Sequence, residues 1–222
     1  MITSCKALWN AWMDALYPPH CIGCDRLVGE GGAYLCGGCW ETIDRQRITS
    51  SSQCTGDPEA EVVLGAFQGP LREAIHALKF RHKRGLGRAL GRHMARAVGP
   101  KLAHVDGIIP LPLHPARVRE RGYNQSFEIA FGLAEALDMP LVRGWVVRTQ
   151  NTRQQSHLNA EERRANVRLA FCWRGVPPGR AWALVDDVIT TGATISACIN
   201  AFPGRVEDIV PTALARSEVS RS

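Results

Sequence analysis

Two groups of residues in this sequence have types and spacing that can do chemistry. The first is the stretch Ala183-Leu184-Val185-Asp186-Asp187-Val188-Ile189-Thr190-Thr191-Gly192-Ala193-Thr194. Residues 181–185 form a short apolar run of the kind that makes a buried parallel strand, and Asp186 and Asp187 end it. Thr190, Thr191, Gly192, Ala193 and Thr194 are small and rich in hydroxyls, and the following residues 195–201 read as a helix. A strand, a small-residue turn and a helix N-terminus make an anion site. Turn amides and threonine hydroxyls point at a phosphate, and the helix dipole favours its charge. Two acids just before the turn suit the hydroxyls of a sugar, so the stretch asks for a sugar phosphate. An ordinary turn with solvated acids is the competing reading, and it leaves the compatible spacing of the two halves unexplained.

The second group is Cys21-Ile22-Gly23-Cys24 and Cys36-Gly37-Gly38-Cys39, two Cys-x2-Cys pairs separated by eleven residues. Two such pairs can close a tetrahedral thiolate shell around zinc, with glycines letting the backbone turn tightly enough for both sulfurs to face the metal. Paired Cys-x2-Cys without a secretory signal favours metal over disulfides. Four thiolates leave no open coordination position, so the expected zinc is structural; a redox dithiol is the competing reading. A segment of roughly fifty residues with few large apolar groups has little core of its own, and a metal supplies what the core cannot. Cys54 stands alone. Cys5, Cys172 and Cys198 are scattered, and the last two read as small buried hydrophobes.

The elements that must position these groups follow from periodicity. The chain has 222 residues, enough for one sizeable domain and a small one. The boundary is placed at 56, with an N-terminal helix and a four-cysteine zinc-binding module over 1–56 and an α/β domain over 57–222; the polar residues 49–58 read as the linker. At the N-terminus Leu8, Trp9, Trp12, Met13 and Leu16 fall on one helical face, and Asp14 interrupts the apolar stretch. That argues for a docking helix rather than a signal peptide, and for a cytoplasmic protein. No apolar run approaches the length of a membrane span.

Residues 62–67 read as a strand. A helix opening at Gly69-Pro70 has Leu71, Ile75 and Leu78 inward and ends at Lys79, and a second over 86–98 has Leu90, Met94 and Val98 inward. Residues 107–115 read as a strand running into a proline-stiffened loop, followed by Arg117, Arg119 and Arg121 and then a helix over 126–137. A rigid turn followed by arginines at a strand end is a candidate pyrophosphate grip. His114 is a candidate base or a structural residue of that loop. Residues 145–148 make another short strand. Residues 149–166 are unusually polar and too long for a tight turn, which fits either an active-site flap or a surface loop. Residues 206–214 supply the last strand.

Charge is unevenly spread. The net charge is +6, yet residues 1–60 carry four basic and seven acidic groups, whereas residues 79–121 carry eleven basic and two acidic. Such a block points to a polyanionic partner, either a pyrophosphate-bearing substrate or nucleic acid. Arg88, Arg92 and Arg96 recur every four residues, a stripe that phosphates could track.

The acid-and-threonine stretch resembles the phosphoribosyl-pyrophosphate motif of type I phosphoribosyltransferases. That resemblance implies Asp186 and Asp187 on the ribose 2′ and 3′ hydroxyls, and Thr190, Thr191, Gly192, Ala193 and Thr194 around the 5′-phosphate. The chain as a whole is similar to the ComF family, competence-associated and phosphoribosyltransferase-like. Leu78-Lys79-Phe80, Pro110-Leu111-Pro112-Leu113-His114-Pro115, Arg121-Gly122-Tyr123-Asn124-Gln125, Arg148-Thr149, Gln155, Arg163 and the two Cys-x2-Cys pairs carry the resemblance. It implies a parallel sheet flanked by helices, with a small zinc-ribbon-like module in front. It also implies phosphoribosyl pyrophosphate as ligand with Mg²⁺ bridging its oxygens. Lys79, Pro112, His114, Asn124, Gln125 and Gln155 become candidate substrate contacts. Arg119, Arg121, Arg148 and Arg163 become candidates for stabilising the leaving pyrophosphate, and 148–168 a flap. Many relatives carry a further Cys-x2-Cys-Gly pair where this chain has only Cys54, followed by Thr55-Gly56. Three functions fit: a phosphoribosyltransferase whose acceptor is open, a single-stranded DNA-binding or sensor protein that keeps the pocket, or a structural partner of DNA-uptake machinery proteins.

Overall fold

The computed structural model describes Trp12 and residues 18–28, 34–48, 61–149, 170–205 and 208–217. In chain order the elements are α1 (Gly37–Arg45), β1 (Val62–Ala66), α2 (Gly69–Phe80), α3 (Arg84–Val98), β2 (Gly107–Pro110), α4 (Pro115–Arg121), α5 (Gln125–Leu137), β3 (Val146–Arg148), β4 (Phe171–Trp173), β5 (Trp182–Ile189), α6 (Ala193–Asn200) and β6 (Ile209–Arg216). Four strands form a parallel sheet in the order β1-β6-β5-β2. Beside β2, Val142 N–H donates to the Ile108 carbonyl at 2.8 Å, so residues 140–142 begin to extend the sheet. The fold is the expected α/β architecture, with the Cys-rich module packed on its β1 side.

The strands read as unbroken apolar runs because both faces of the sheet are covered. Successive side chains point to opposite faces. Val62, Leu64, Ala183, Val185 and Leu214 meet the helices α2, α3 and α5 in one core, which also contains Ile75, Leu90, Met94, Ile129 and Leu133. Val63, Ile109, Trp182, Leu184 and Ala213 face a second core built from α6 and the β3–β4 pair, with Val146, Phe171, Trp173, Ile195 and Cys198. Asp106 fixes where β5 starts: its carboxylate accepts the backbone N–H groups of Arg180 and Ala181 at 2.5 and 3.1 Å.

The helices α3 and α5 pack backbone to backbone. A Cβ on Gly91 would lie 2.1 Å from the Ile129 carbonyl oxygen, and one on Gly132 would lie 2.1 Å from that of Arg88. Only glycine allows these backbones to approach so closely. The proximity also redirects the arginine stripe. Arg88 pairs with Glu128 at 2.8 Å and Arg92 with Glu135 at 2.7 Å, both across the helix interface. The expected phosphate track is therefore largely neutralised within the fold, and of the three only Arg96 is left with no partner among the described residues.

Other expectations shift in detail. β5 continues through Asp186 and Asp187 to Ile189, so the acids lie inside the strand rather than at its end. The loop after β2 becomes helical at α4, because Pro115 fits the first turn and the His114 ring nitrogen Nδ1 accepts the Ala116 N–H at 3.2 Å. Strand β4 has no counterpart among the expected elements; it pairs antiparallel with β3, and Thr149 N–H donates to the Ala170 carbonyl at 2.8 Å. The residues that flank the polar segment are thereby joined, while residues 150–169 lie outside the described residues. The N-terminal helix also lies outside them except for Trp12, which is helical and exposed.

The Cys-rich module sits against α2, α3 and the free edge of β1. Leu35 and Ile43 belong to the same core as α2 and α3. Arg47 bridges Gly65 in antiparallel fashion, which covers an otherwise open strand edge. Trp40 stacks on His93 of α3 at 4.3 Å, and the His93 Nε2 lies 2.7 Å from an Asp44 carboxylate oxygen.

Candidate functional site

Asp186 and Asp187 occupy the C-terminal half of the central strand β5, where open parallel sheets place their ligands. Being neighbours in a strand, they leave in opposite directions. Asp187 is 4% exposed and its Oδ2 lies 3.1 Å from the Lys79 ammonium at the end of α2. Asp186 accepts a hydrogen bond from the Ser126 hydroxyl at 3.0 Å and another from the Asp187 backbone N–H at 2.8 Å. Ser126 is the second residue of α5, so the N-terminal end of that helix faces the carboxylate as well. Burial and the Asp187 charge push the Asp186 carboxyl up to about 7, against the pull of the Asp187 N–H, Ser126 and Lys79. An opposite charge at this range contributes about 4 kcal/mol before desolvation. One lysine therefore goes only part of the way to supporting two adjacent carboxylates, Asp187 buried and Asp186 half-buried.

A second cation approaches from the other face. Arg148 ends β3, stacks 5.4 Å from the Phe171 ring centroid and is close enough to Asp186 to be stabilised by it. Burial first, and then the charge of Arg117, hold its guanidinium below the usual range. Because residues 115–121 are helical, Arg117 and Arg121 share one side of α4. Arg117 is the residue that shares the neighbourhood of Arg148.

Beyond Ile189 the chain turns through the threonine segment. Gly192 has φ = 75°, a left-handed conformation that glycine adopts without strain, and it caps α6. The Thr191 hydroxyl accepts the Ala193 N–H at 3.4 Å, and Thr190, Thr191 and Ala193 are exposed. The segment presents hydroxyls and backbone N–H groups beside the acid pair, an arrangement able to hold a sugar through its hydroxyls and a phosphate through the loop.

The remaining candidates divide by what they hold. His114 caps α4. Asn124 caps α5 through the Ser126 N–H at 3.1 Å and donates to the Leu111 carbonyl at 2.9 Å, tying the proline loop to α5. Gln125 is buried and accepts from Arg121 at 2.5 Å, so it positions that arginine. Pro112 lies half-buried in the loop, and Arg119 is exposed on α4. The structure thus brings Asp186, Asp187, Lys79 and Arg148 together, while Asn124 and Gln125 hold the elements around them. Gln155 and Arg163 lie outside the described residues. Ser126 belongs to the constellation although chemistry-bearing spacing does not single it out, and Arg117, one of the three arginines of the expected grip, stands near Arg148. Ser126 is legible in the sequence only as a helix start, and Arg117 only as one of several arginines.

The four cysteines form the other site. The Sγ atoms of Cys21, Cys24, Cys36 and Cys39 all lie within 4.8 Å of one another. The Cys21–Cys39 and Cys24–Cys36 separations are 3.5 and 3.7 Å. A tetrahedral set at ~2.3 Å from zinc places its sulfurs about 3.8 Å apart, so the residues fit the ion. Burial raises the Cys21 thiol, but N–H groups of Cys36, Gly23 and Cys24 more than offset this and bring it down to about 6. Burial and the neighbouring sulfurs push Cys39 the other way. Four close sulfurs cannot all ionise without a cation among them, and a divalent ion removes that conflict. The glycines act differently from expectation. Gly23 is needed for closeness, since a Cβ there would meet the Cys39 sulfur and Pro70 at 2.9 Å, whereas Gly37 and Gly38 face open space and start α1.

A profile described as the double zinc ribbon domain matches residues 12–62. Competence protein F of Haemophilus influenzae is 33% identical over 186 residues, 79% of this chain and 80% of that protein. The DNA utilization protein YhgH of Escherichia coli (strain K12) is 34% identical over 142 residues, 61% of this chain and 62% of its own length. The corresponding Salmonella typhimurium protein is 29% identical over 185 residues, 73% of this chain and 81% of its own. No helix among the described residues is long and apolar enough to cross a membrane.

Metal analysis of the purified chain is expected to return one zinc per chain, and Cys36→Ser to lose it together with several degrees of thermal stability. For the acid pair the folded pKa of Asp186 is raised above the unfolded value, so the folded state holds the extra proton and loses stability as pH rises from about 4 to 7. Asp186→Asn, which keeps the Ser126 hydrogen bond, should therefore melt a few degrees above the unmodified chain at pH 8 and show no gain near pH 4. A gain independent of pH would contradict this electrostatic account.

Proposed function

Taking as premise that the chain belongs to the ComF family of competence protein F, we propose that it binds phosphoribosyl pyrophosphate at the C-terminal end of β5 and acts as a phosphoribosyltransferase-like protein in DNA uptake or utilisation. The observation that carries this reading is the Asp186–Asp187 pair, Asp187 buried and Asp186 half-buried, with Lys79 and Ser126 holding it beside the threonine turn. The relatives' names, a competence protein and DNA utilization proteins, support the cellular setting.

In this reading the two carboxylates accept the ribose 2′ and 3′ hydroxyls, which fixes the ring. Thr190, Thr191, Gly192, Ala193 and Thr194 surround the 5′-phosphate with N–H and hydroxyl donors. The raised Asp186 carboxyl and the adjacent Asp187 suit a site completed by cationic ligands, and Mg²⁺ bound with the pyrophosphate would supply charge neutralisation there. Arg148, already drawn toward Asp186, is best placed of the described arginines to stabilise the leaving pyrophosphate, with Arg121 steadied by Gln125 and Arg119 free to move in from α4. Transfer would break the bond between ribose C1 and the pyrophosphate oxygen, the electron pair leaving with pyrophosphate as an acceptor attacks from the opposite face. Orientation and charge stabilisation would supply most of the rate.

Calorimetric titration of phosphoribosyl pyrophosphate into the zinc-loaded protein, with and without Mg²⁺, tests this directly. Saturable, Mg²⁺-dependent binding is expected, lost at least a hundredfold in Asp187→Ala with the fold intact. Unchanged affinity in that variant would remove the acid pair from the site.

A second reading, contact with single-stranded DNA, draws on one observation. Phe80 is 70% exposed at the end of α2, with the Arg121 guanidinium 5.9 Å from its centroid and exposed Arg81 and Lys83 beside it. A base can stack on such a ring while the cations meet phosphates. Binding of a short oligothymidylate should weaken steeply with salt, and Phe80→Ala should weaken it about tenfold; an affinity that ignores both salt and Phe80 speaks against the contact.

A further inference from the structure

A cleft of about 370 Å³ opens beside the outer edge of β2, and none of the acid pair or residues 190–194 lines it. Its floor is apolar, formed by Ile109, Val142 and Val146. Its walls carry two arginines, each stacked on an aromatic ring: Arg84 lies 5.2 Å over Tyr123, and Arg143 lies 4.5 Å over Phe127. Arg84 is fixed further by a hydrogen bond to the Gly122 carbonyl. Both arginines are exposed. A guanidinium stacked on a ring keeps its outer face for a second planar group and its N–H edge for an oxyanion.

The charge of the cleft is positive. Its one carboxylate, Glu128, is 4% exposed and paired with Arg88 at 2.8 Å. Arg88 lies in turn over Phe131 at 4.3 Å, so the ion pair is held away from the opening. Arg84 and Arg143 are left uncompensated by any acid among the described residues. An apolar floor, planar cations and net positive charge select for a flat ring with a negative group attached. The volume lies at the lower end of the ~300–1,000 Å³ typical of small-ligand sites.

We propose that this cleft binds a nucleotide unit, with its heteroaromatic base on the floor against the stacked guanidiniums and its phosphate between Arg84 and Arg143. The same chemistry comes from a free mononucleotide or from the phosphorylated end of a nucleic-acid strand. Pro112 and Asn124, candidate contacts for phosphoribosyl pyrophosphate, also line this cleft, but the proposal rests on Arg84, Arg143 and the apolar floor, none of which belongs to the acid pair or the threonine turn.

Adenosine monophosphate titrated calorimetrically into the zinc-loaded full chain is the probe. Saturable binding is expected, with adenosine and ribose 5-phosphate each at least tenfold weaker, since each offers half of the recognised group. Arg143→Ala should weaken adenosine monophosphate at least tenfold, and Arg143→Glu should abolish it, with thermal melts confirming that both variants fold. Asp187→Ala should retain it, which separates this cleft from the phosphoribosyl pyrophosphate site. A 5′-phosphorylated tetranucleotide bound more tightly than the mononucleotide, again through Arg143, identifies a strand end as the source. Preference for the mononucleotide identifies the free form. The proposal is overturned by absence of binding, by binding indifferent to Arg143, or by binding lost in Asp187→Ala.

Discussion

Two carboxylates at consecutive positions near the end of a central strand repel one another, and neither can move away without breaking the ladder to β6. The strand geometry sends them to opposite sides, so they are held by different elements. Lys79 reaches Asp187 from the end of α2, Ser126 reaches Asp186 from the start of α5, and Arg148 approaches from β3. Much of the architecture can be understood as what brings those three elements to the same end of the sheet. The parallel arrangement is essential, because it places the C-terminal ends of β2, β5 and β6 along one edge with helix ends around it.

The interlocked helices α3 and α5 act on that site indirectly. Their glycine contact sets the depth at which α5 lies over the sheet, and with it the position of Ser126, Asn124 and Gln125. It also consumes Arg88 and Arg92 in ion pairs with Glu128 and Glu135. The positive block of the sequence is accordingly smaller on the surface than its residue count suggests. What stays exposed is gathered around the α2–α3 turn and α4, near Phe80, and around the cleft beside β2.

The Cys-rich module is bound to the larger domain by shared packing rather than tethered alone. Leu35 and Ile43 enter the core beneath α2 and α3, Arg47 covers the edge of β1, and Gly23 admits Pro70 against the cysteine cluster. Metal binding there would stabilise the surface on which α2 rests, and α2 carries Lys79. This gives a physical route from the four sulfurs to the acid pair without any direct contact.

Local patterns were enough for the sequence to mark most of the elements and to single out two groups of residues. Buried strands could be inferred from the apolar runs of β1, β2 and β5, and the inner faces of α2 and α3 from their helical period, because these depend on nearest neighbours along the chain. Cys-x2-Cys spacing and the acid-threonine stretch were legible for the same reason: their ligating atoms come from short segments. Pairings across the chain were not. Whether Arg88 meets a phosphate or Glu128, and that Ser126 stands beside Asp186 and Arg117 near Arg148, depend on contacts between residues some thirty to sixty positions apart. Whether His114 is a base or a helix cap depends on the backbone path that residues 115–121 take. Strand β4 was hidden because three residues carry too little periodicity to announce a strand, and only the partner β3 stabilises it. Tertiary structure decided which cations were spent inside the fold and which were left to face a ligand, since that depends on how closely two glycine-lined helices can pack.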